Sequence, residues 1–222
     1  MKQIYALLLF ICIYSVANAQ VKKGDIVLGG NLGYSDEAST GQTSPPTSIT
    51  SNSLYLNPSL GKAIRDNLVL GIGISYSHSS SKVDNAGTLT DNQTGNSGSL
   101  GVFIRRYKPI GAGFSLFGQA GLSGNYTHSN EMQPGATDLG AHANTYGFAL
   151  NLYPGIAYAL NRRWQLETSL PNFFLINYGH TKETQQFTGQ PDLTSTNHNF
   201  GISSSLTGND EFTVGVRYFI GG

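Results

Sequence analysis

The chain has 222 residues, with 13 Lys and Arg against 13 Asp and Glu, so its formal net charge is zero. Neutrality argues against a nucleic-acid-binding surface, and a single cysteine excludes a disulfide framework. With 28 glycines, 12 tyrosines and 11 phenylalanines but few charges, the composition favours strands and turns.

The first element in chain order is a leader. Lys2 precedes an apolar run from Ile4 to Val16, followed by Ala17-Asn18-Ala19, the small-x-small arrangement read by signal peptidase. The run is too short to cross a bilayer as a helix. Residues 1–19 are therefore expected to be a cleaved signal peptide and 20–222 one exported domain without a second module. Cys12 lies in the leader, which leaves the exported part without a thiol nucleophile or thiolate metal ligand. No later stretch approaches the roughly twenty apolar residues of a membrane helix, so a membrane reading must go through strands.

Period-two alternation then recurs along the chain. Ile26, Leu28, Leu32 and Tyr34 face away from Val27, Asn31 and Ser35; Leu54, Leu56 and Leu60 from Tyr55, Asn57 and Ser59. Leu68 to Tyr76, Leu100 to Ile104, Phe114 to Tyr126 and Tyr146 to Tyr158 repeat the pattern, each against an opposite face of Gly, Ser, Asn or Gln that also holds Val69, Phe103 and Arg105, Phe117, or Ala149, Tyr153 and Ala157. The seventh strand starts at Trp164 and is expected to continue past Pro171 to Tyr178. The eighth begins near Phe200 and ends in FTVGVRYFI, where Phe212, Val214, Val216, Tyr218 and Ile220 share one face.

Connections alternate in length. KAIRDN, YKPIGAG and ALNRRW are short, whereas 36–51, 79–97, 127–143 and 181–197 are long, polar and rich in Ser, Thr, Asn and Gly. The short side carries Lys62, Arg65, Arg106, Lys108, Arg162 and Arg163, while most acids lie in the long segments. An even strand number with short turns on one side and long, mobile loops on the other predicts an all-β fold, an eight-stranded antiparallel up-and-down transmembrane β-barrel of the outer-membrane type.

The faces follow from the cost of burying charge. A lipid-facing Arg near mid-bilayer costs about 2–4 kcal/mol, so the Leu, Ile and Val face must be outside. Tyr34, Tyr76, Tyr126, Tyr146 and Tyr178 then lie near one interface, and Tyr158, Trp164 and Tyr218 near the other. Asn31, Asn57, Ser75, Gln119 and Asn151 fill the inside, which eight strands leave just wide enough for side chains. A packed polar core without a pore is expected. Glu167 and Arg217 point inward at similar depth, which predicts an interior ion pair with Arg105 as a second cation beside it.

Thr213, Gly215, Tyr218 and Ile220 match the polar-x-glycine-x-x-hydrophobic-x-hydrophobic assembly signal of a terminal barrel strand. With GDIVLGGNLGYS and LNPSLGKAIRDNLVLGIGISYS, the chain resembles the small outer-membrane β-barrel proteins of OmpX/OmpA type, especially those of Bacteroidota. The resemblance implies a monomer in the outer-membrane lipid, inserted by the barrel assembly machinery with periplasmic chaperones, with no cofactor and no assigned activity.

Candidate chemistry is sparse. His78, His128, His142, His180 and His198 fall at the long-loop ends of strands, where His128 with His142 and His180 with His198 could pair as the start of a metal or haem site. His78-Ser79-Ser80 has the His-x-Ser spacing of outer-membrane lipid A deacylases, without an assignable acidic partner. The favoured expectation is non-enzymatic: envelope structure or binding of a surface partner through the loops. A narrow channel or a carrier of small hydrophobic molecules is the alternative, and a secreted soluble β-sandwich adhesin would show the same alternation.

Overall fold

The computed structural model describes residues 21–41, 47–85, 88–133, 139–170, 173–187, 190–204 and 213–221. The proposed leader, 1–19, lies outside them. Ten strands follow one another: β1 (Ile26–Gly41), β2 (Thr47–Arg65), β3 (Leu68–Asn85), β4 (Thr88–Gly111), β5 (Phe114–Gln133), β6 (Leu139–Ala159), β7 (Trp164–Ser169), β8 (Phe174–Gln186), β9 (Leu193–Ser203) and β10 (Thr213–Ile220). Every pairing is antiparallel, and β5–β6 together with β1–β10 close the sheet into a ring of eight positions. Two positions are split, the seventh into β7 and β8 and the eighth into β9 and β10.

Closure satisfies the backbone where no water can, and alternation sorts the side chains. Leu32, Ile74, Leu100, Val102 and Leu122 stand outside, half or more exposed. Tyr126 against Tyr146 (4.9 Å between centroids) and Phe148 against Tyr178 (5.3 Å) mark one rim of this apolar band. Phe114 against Tyr158 (4.6 Å) and Trp164 against Tyr218 (4.8 Å) mark the other.

Three features depart from the sequence expectation. First, most of the long segments between strands are strand. β4 runs for 24 residues and β5 for 20, about twice the 9–11 needed to cross a bilayer, so the wall stands well clear of the apolar band. Cross-strand hydroxyl pairs line that extension, among them Ser35–Ser53 (2.7 Å), Thr127–Ser97 (2.9 Å) and Thr145–Thr181 (2.8 Å). Polar composition there encodes a solvated tube.

Second, the stretch expected to be one strand from Trp164 to Tyr178 contains two, β7 ending at Ser169 and β8 starting at Phe174, while Pro171 lies outside the described residues. Pairing on β6 ends with Gly155↔Ser169 for β7 and resumes with Leu152↔Phe174 for β8. Pro154 sits at that step and has no N–H to donate; its carbonyl instead accepts from Leu170 N–H (3.1 Å). Across the same break β10 pairs β1 only up to Asn31↔Gly215. Among the described residues, β9 has a ladder to β8 alone and β1 beyond Asn31 has one to β2 alone.

Third, the interior is not uniformly polar. At the short-turn end Val27, Val69, Phe103, Tyr107 and Phe117 pack into an apolar layer, closed below by Val21. Asn67 N–H donates to the Val21 carbonyl (2.8 Å), and Gly24 N–H to the Ala63 carbonyl (2.8 Å), which fixes the leading residues across the base. The large rings fit because glycine faces them. A Cβ at Gly155 would collide with the Phe117 ring and with the Thr168 carbonyl.

Candidate functional site: a charged floor beneath a polar cup

Directly above the apolar layer lies the principal cluster of buried charge. Glu167 on β7 receives two bonds from Arg217 on β10: Nε–H to Oε2 (2.7 Å) and Nη2–H to Oε1 (3.0 Å). Arg105 on β4 reaches across the lumen and donates Nη1–H to Glu167 Oε2. Its Nε–H donates to Gln119 Oε1 (2.7 Å), and its guanidinium lies over the Phe117 ring at 4.1 Å.

Register explains the geometry. Gly215 is the residue directly opposite Glu167, and Arg217 is opposite Gln165, so the ion pair is the diagonal neighbour on the inner face. The small residues beside it matter. A Cβ on Gly29, which is opposite Arg217, would stand 2.6 Å from Arg217 Nη1. With Arg105 only 1% and Arg217 only 5% exposed, one carboxylate is shared by two desolvated guanidiniums. The cluster spans the lumen and carries one net positive charge.

Over this floor opens a cavity of about 310 Å³ whose wall includes Asn31, Asn57, Ser75, Ser99, Asn151 and Arg217. Farther out, a second space of about 410 Å³ is walled by hydroxyls and amides, with Glu37 as its carboxylate. The inside is thus a packed base, a charged floor and a polar cup.

The histidines lie on the outer wall. His180 and His198 do meet, Nδ1 to Nδ1 at 3.4 Å, with Tyr178 Oη 2.9 Å from His198 Nδ1. His128 does not meet His142: it faces Asn144, with Nδ1 2.9 Å from Oδ1, and His142 is opposite Asn130 and Thr184. The expected His128–His142 pair fails because the strands continue past both residues in a register that offsets them by two positions. Two imidazoles leave a tetrahedral ion half-coordinated, and no cluster of three or more His, Cys, Asp or Glu suited to a metal occurs among the described residues. Calorimetric titration with zinc is expected to show no saturable binding in the micromolar range; a one-to-one isotherm lost in His180→Ala would contradict this. His78 likewise has Asn96 as its partner, Nδ1 to Oδ1 at 2.9 Å, and not a carboxylate.

Thr213 and Gly215 of the terminal strand face inward, Thr213 Oγ1 pairing with Ser169 Oγ at 2.7 Å, while Ile220 faces outward. Sequence reasoning missed the Asn partners of His78 and His128, which alternation alone cannot supply because they depend on register.

No family model matches the chain, and no curated protein matches it. Among solved structures it is similar to the outer membrane protein OprG from Pseudomonas aeruginosa, at a TM-score of 0.51 and 15% identity over 90% of this chain and 98% of that one. A major outer membrane protein from Thermus thermophilus follows at a TM-score of 0.47 and 13% identity, covering 89% of this chain and 99% of that one. Neisserial surface protein A gives 0.40 and 15%, covering 88% and 97%. The fold is that of an eight-stranded outer-membrane β-barrel. For such a barrel an apolar outer band edged by aromatic rings has one matching solvent, the hydrocarbon core of the outer membrane.

Proposed function

We propose that this is a non-enzymatic, non-conducting outer-membrane barrel of the OmpX/OmpA kind whose outer end, the polar cup and its extended wall, binds a partner at the cell surface. The observation that carries the reading is the floor. Arg105, Glu167 and Arg217 bridge the lumen above a layer of packed rings, and in this reading they close the cup toward the other side. In this reading Thr213, Gly215, Tyr218 and Ile220 are the signal presented to the barrel assembly machinery, and the protein works as a monomer. Planar-bilayer recordings are expected to show no conductance steps for the wild type. Well-resolved steps would overturn the proposal.

A second reading rests on the wall. The edges of β9 and of β1 beyond Asn31 have no ladder between them among the described residues, which would suit a carrier releasing a small hydrophobic molecule sideways into the bilayer. Faster entry of a fluorescent hydrocarbon into barrel-containing vesicles than into empty ones would favour it, and equal rates would discard it.

A further inference from the structure

The outer wall carries a repeated polar device at the rim of the apolar band. On β3, β5 and β8 a tyrosine is followed two residues later by a histidine: Tyr76 and His78, Tyr126 and His128, Tyr178 and His180. Each histidine stands directly opposite a partner on the next strand, Asn96, Asn144 or His198. In the first two cases the asparagine Oδ1 accepts twice. Tyr76 O–H donates to Asn96 at 3.0 Å and His78 Nδ1–H at 2.9 Å; Tyr126 O–H donates to Asn144 at 2.7 Å and His128 Nδ1–H at 2.9 Å. The third case substitutes chemistry of the same kind, since His198 Nδ1 lies 2.9 Å from Tyr178 Oη and 3.4 Å from His180 Nδ1.

In the first two cases the bond to an asparagine Oδ1 requires Nδ1–H, so His128 keeps Nε2 as an acceptor and Asn144 keeps its Nδ2–H donors. His180 and His198 meet through Nδ1, and each keeps Nε2 as a donor or an acceptor according to its tautomer. Acceptor beside donor is the pattern that binds hydroxyl groups in pairs.

All three triads join, since Asn96 lies opposite both His78 and His128, and the second and third form the end of the row that carries a cation. His128, Asn144 and Lys182 form one row across β5, β6 and β8, and Tyr126, Tyr146, His180 and His198 form the row below it, extending onto β9. Four strands span roughly 14 Å. The patch thus holds donors, acceptors, one exposed cation and, beneath it, the stacked rings of Phe148 and Tyr178. It continues the lipid-facing side of each strand outward by one or two residues, so what lies against it is a lipid headgroup.

We propose that this patch on β5, β6, β8 and β9 is a binding site for a phosphorylated glycolipid headgroup of the outer leaflet. Sugar hydroxyls are held by the His128, Asn144, His180 and His198 edge groups, and a phosphate by Lys182. The site is on the outer wall and does not depend on the role proposed for the cup.

The test reconstitutes the full chain in phosphatidylcholine vesicles containing, in separate arms, lipid A, phosphatidylglycerol or a galactosyl diacylglycerol. Lipid retained through mild detergent extraction is quantified by mass spectrometry. Lipid A is expected to be enriched above both other lipids. The combined variant His128→Phe, His180→Phe, Lys182→Leu is expected to lower that enrichment by at least about fivefold, the change from losing on the order of one net hydrogen bond. Leu60→Phe, in the apolar band on β2 and away from the triads, is expected to leave it unchanged, and all variants should retain the mobility shift on boiling that reports a closed barrel. No enrichment in the wild type, equal enrichment of phosphatidylglycerol, or undiminished enrichment in a closed combined variant would each overturn the proposal.

Discussion

Glu167→Gln is expected to lower the unfolding free energy of the barrel in lipid vesicles by about 3–5 kcal/mol, the range for removing one partner of a buried ion pair. The reason is the sharing of one carboxylate. Arg217 holds it through two bonds and Arg105 through a third, so neutralising Glu167 leaves two desolvated cations facing each other. Arg105→Met should cost less, because the Arg217–Glu167 pair survives and a methionine can lie against Phe117. That order is the informative result, read from urea midpoints of the two variants measured side by side. If Glu167→Gln were neutral, or milder than Arg105→Met, the carboxylate would not be the hub of the floor.

The second large effect concerns the outer wall. Ile72 stands outward, with Leu60 and Val102 opposite it on the neighbouring strands, inside the apolar band between the two aromatic rims. Ile72→Arg is expected to cost about 2–4 kcal/mol in a bilayer, the penalty for a lipid-facing arginine near the midplane. Ser99→Arg places the same charge on the inner wall, in the cavity above the floor, and is expected to cost under half as much. Equal penalties at the two sites would mean that the faces are not separated into lipid and lumen.

Much of this was legible in the sequence, for reasons tied to particular residues. Outward Leu and Ile at every second position need no tertiary information, because a one-residue slip would put them in the lumen. The direction of Glu167 and Arg217 followed from the same parity, and counting from the strand ends placed them at similar depth, whereas the register sets them two positions apart as diagonal neighbours. Arg105 was readable only as nearby, since its reach across the lumen to β7 is set by closure of the ring.

Other features were hidden. Ser- and Thr-rich stretches such as 79–85 read as loop because their composition is polar, yet the ladder across β2, β3 and β4 continues there, with Ser51 and Ser81 paired through their hydroxyls at 3.1 Å. The split between β7 and β8, beside Pro154, depends on which residues of β6 oppose it. The Tyr–His–Asn triads are spread over neighbouring strands, so each histidine's partner emerges only once the register is fixed. Gly155 illustrates the same limit: its sequence context says strand, and only packing shows that the missing side chain makes room for Phe117. Gly155→Leu is accordingly expected to destabilise the base by about 1–3 kcal/mol through overpacking.

The central claim is that the alternating strands close on themselves with the apolar face in lipid, and it is tested most directly by electrophoretic mobility in SDS of the membrane-extracted protein, unboiled against boiled. A closed barrel resists the detergent until heated, so the unboiled sample is expected to run as a compact species that shifts on boiling. Identical mobility in the two lanes, with the protein recovered from the soluble fraction, would contradict the account and assign the same strands to a secreted sandwich.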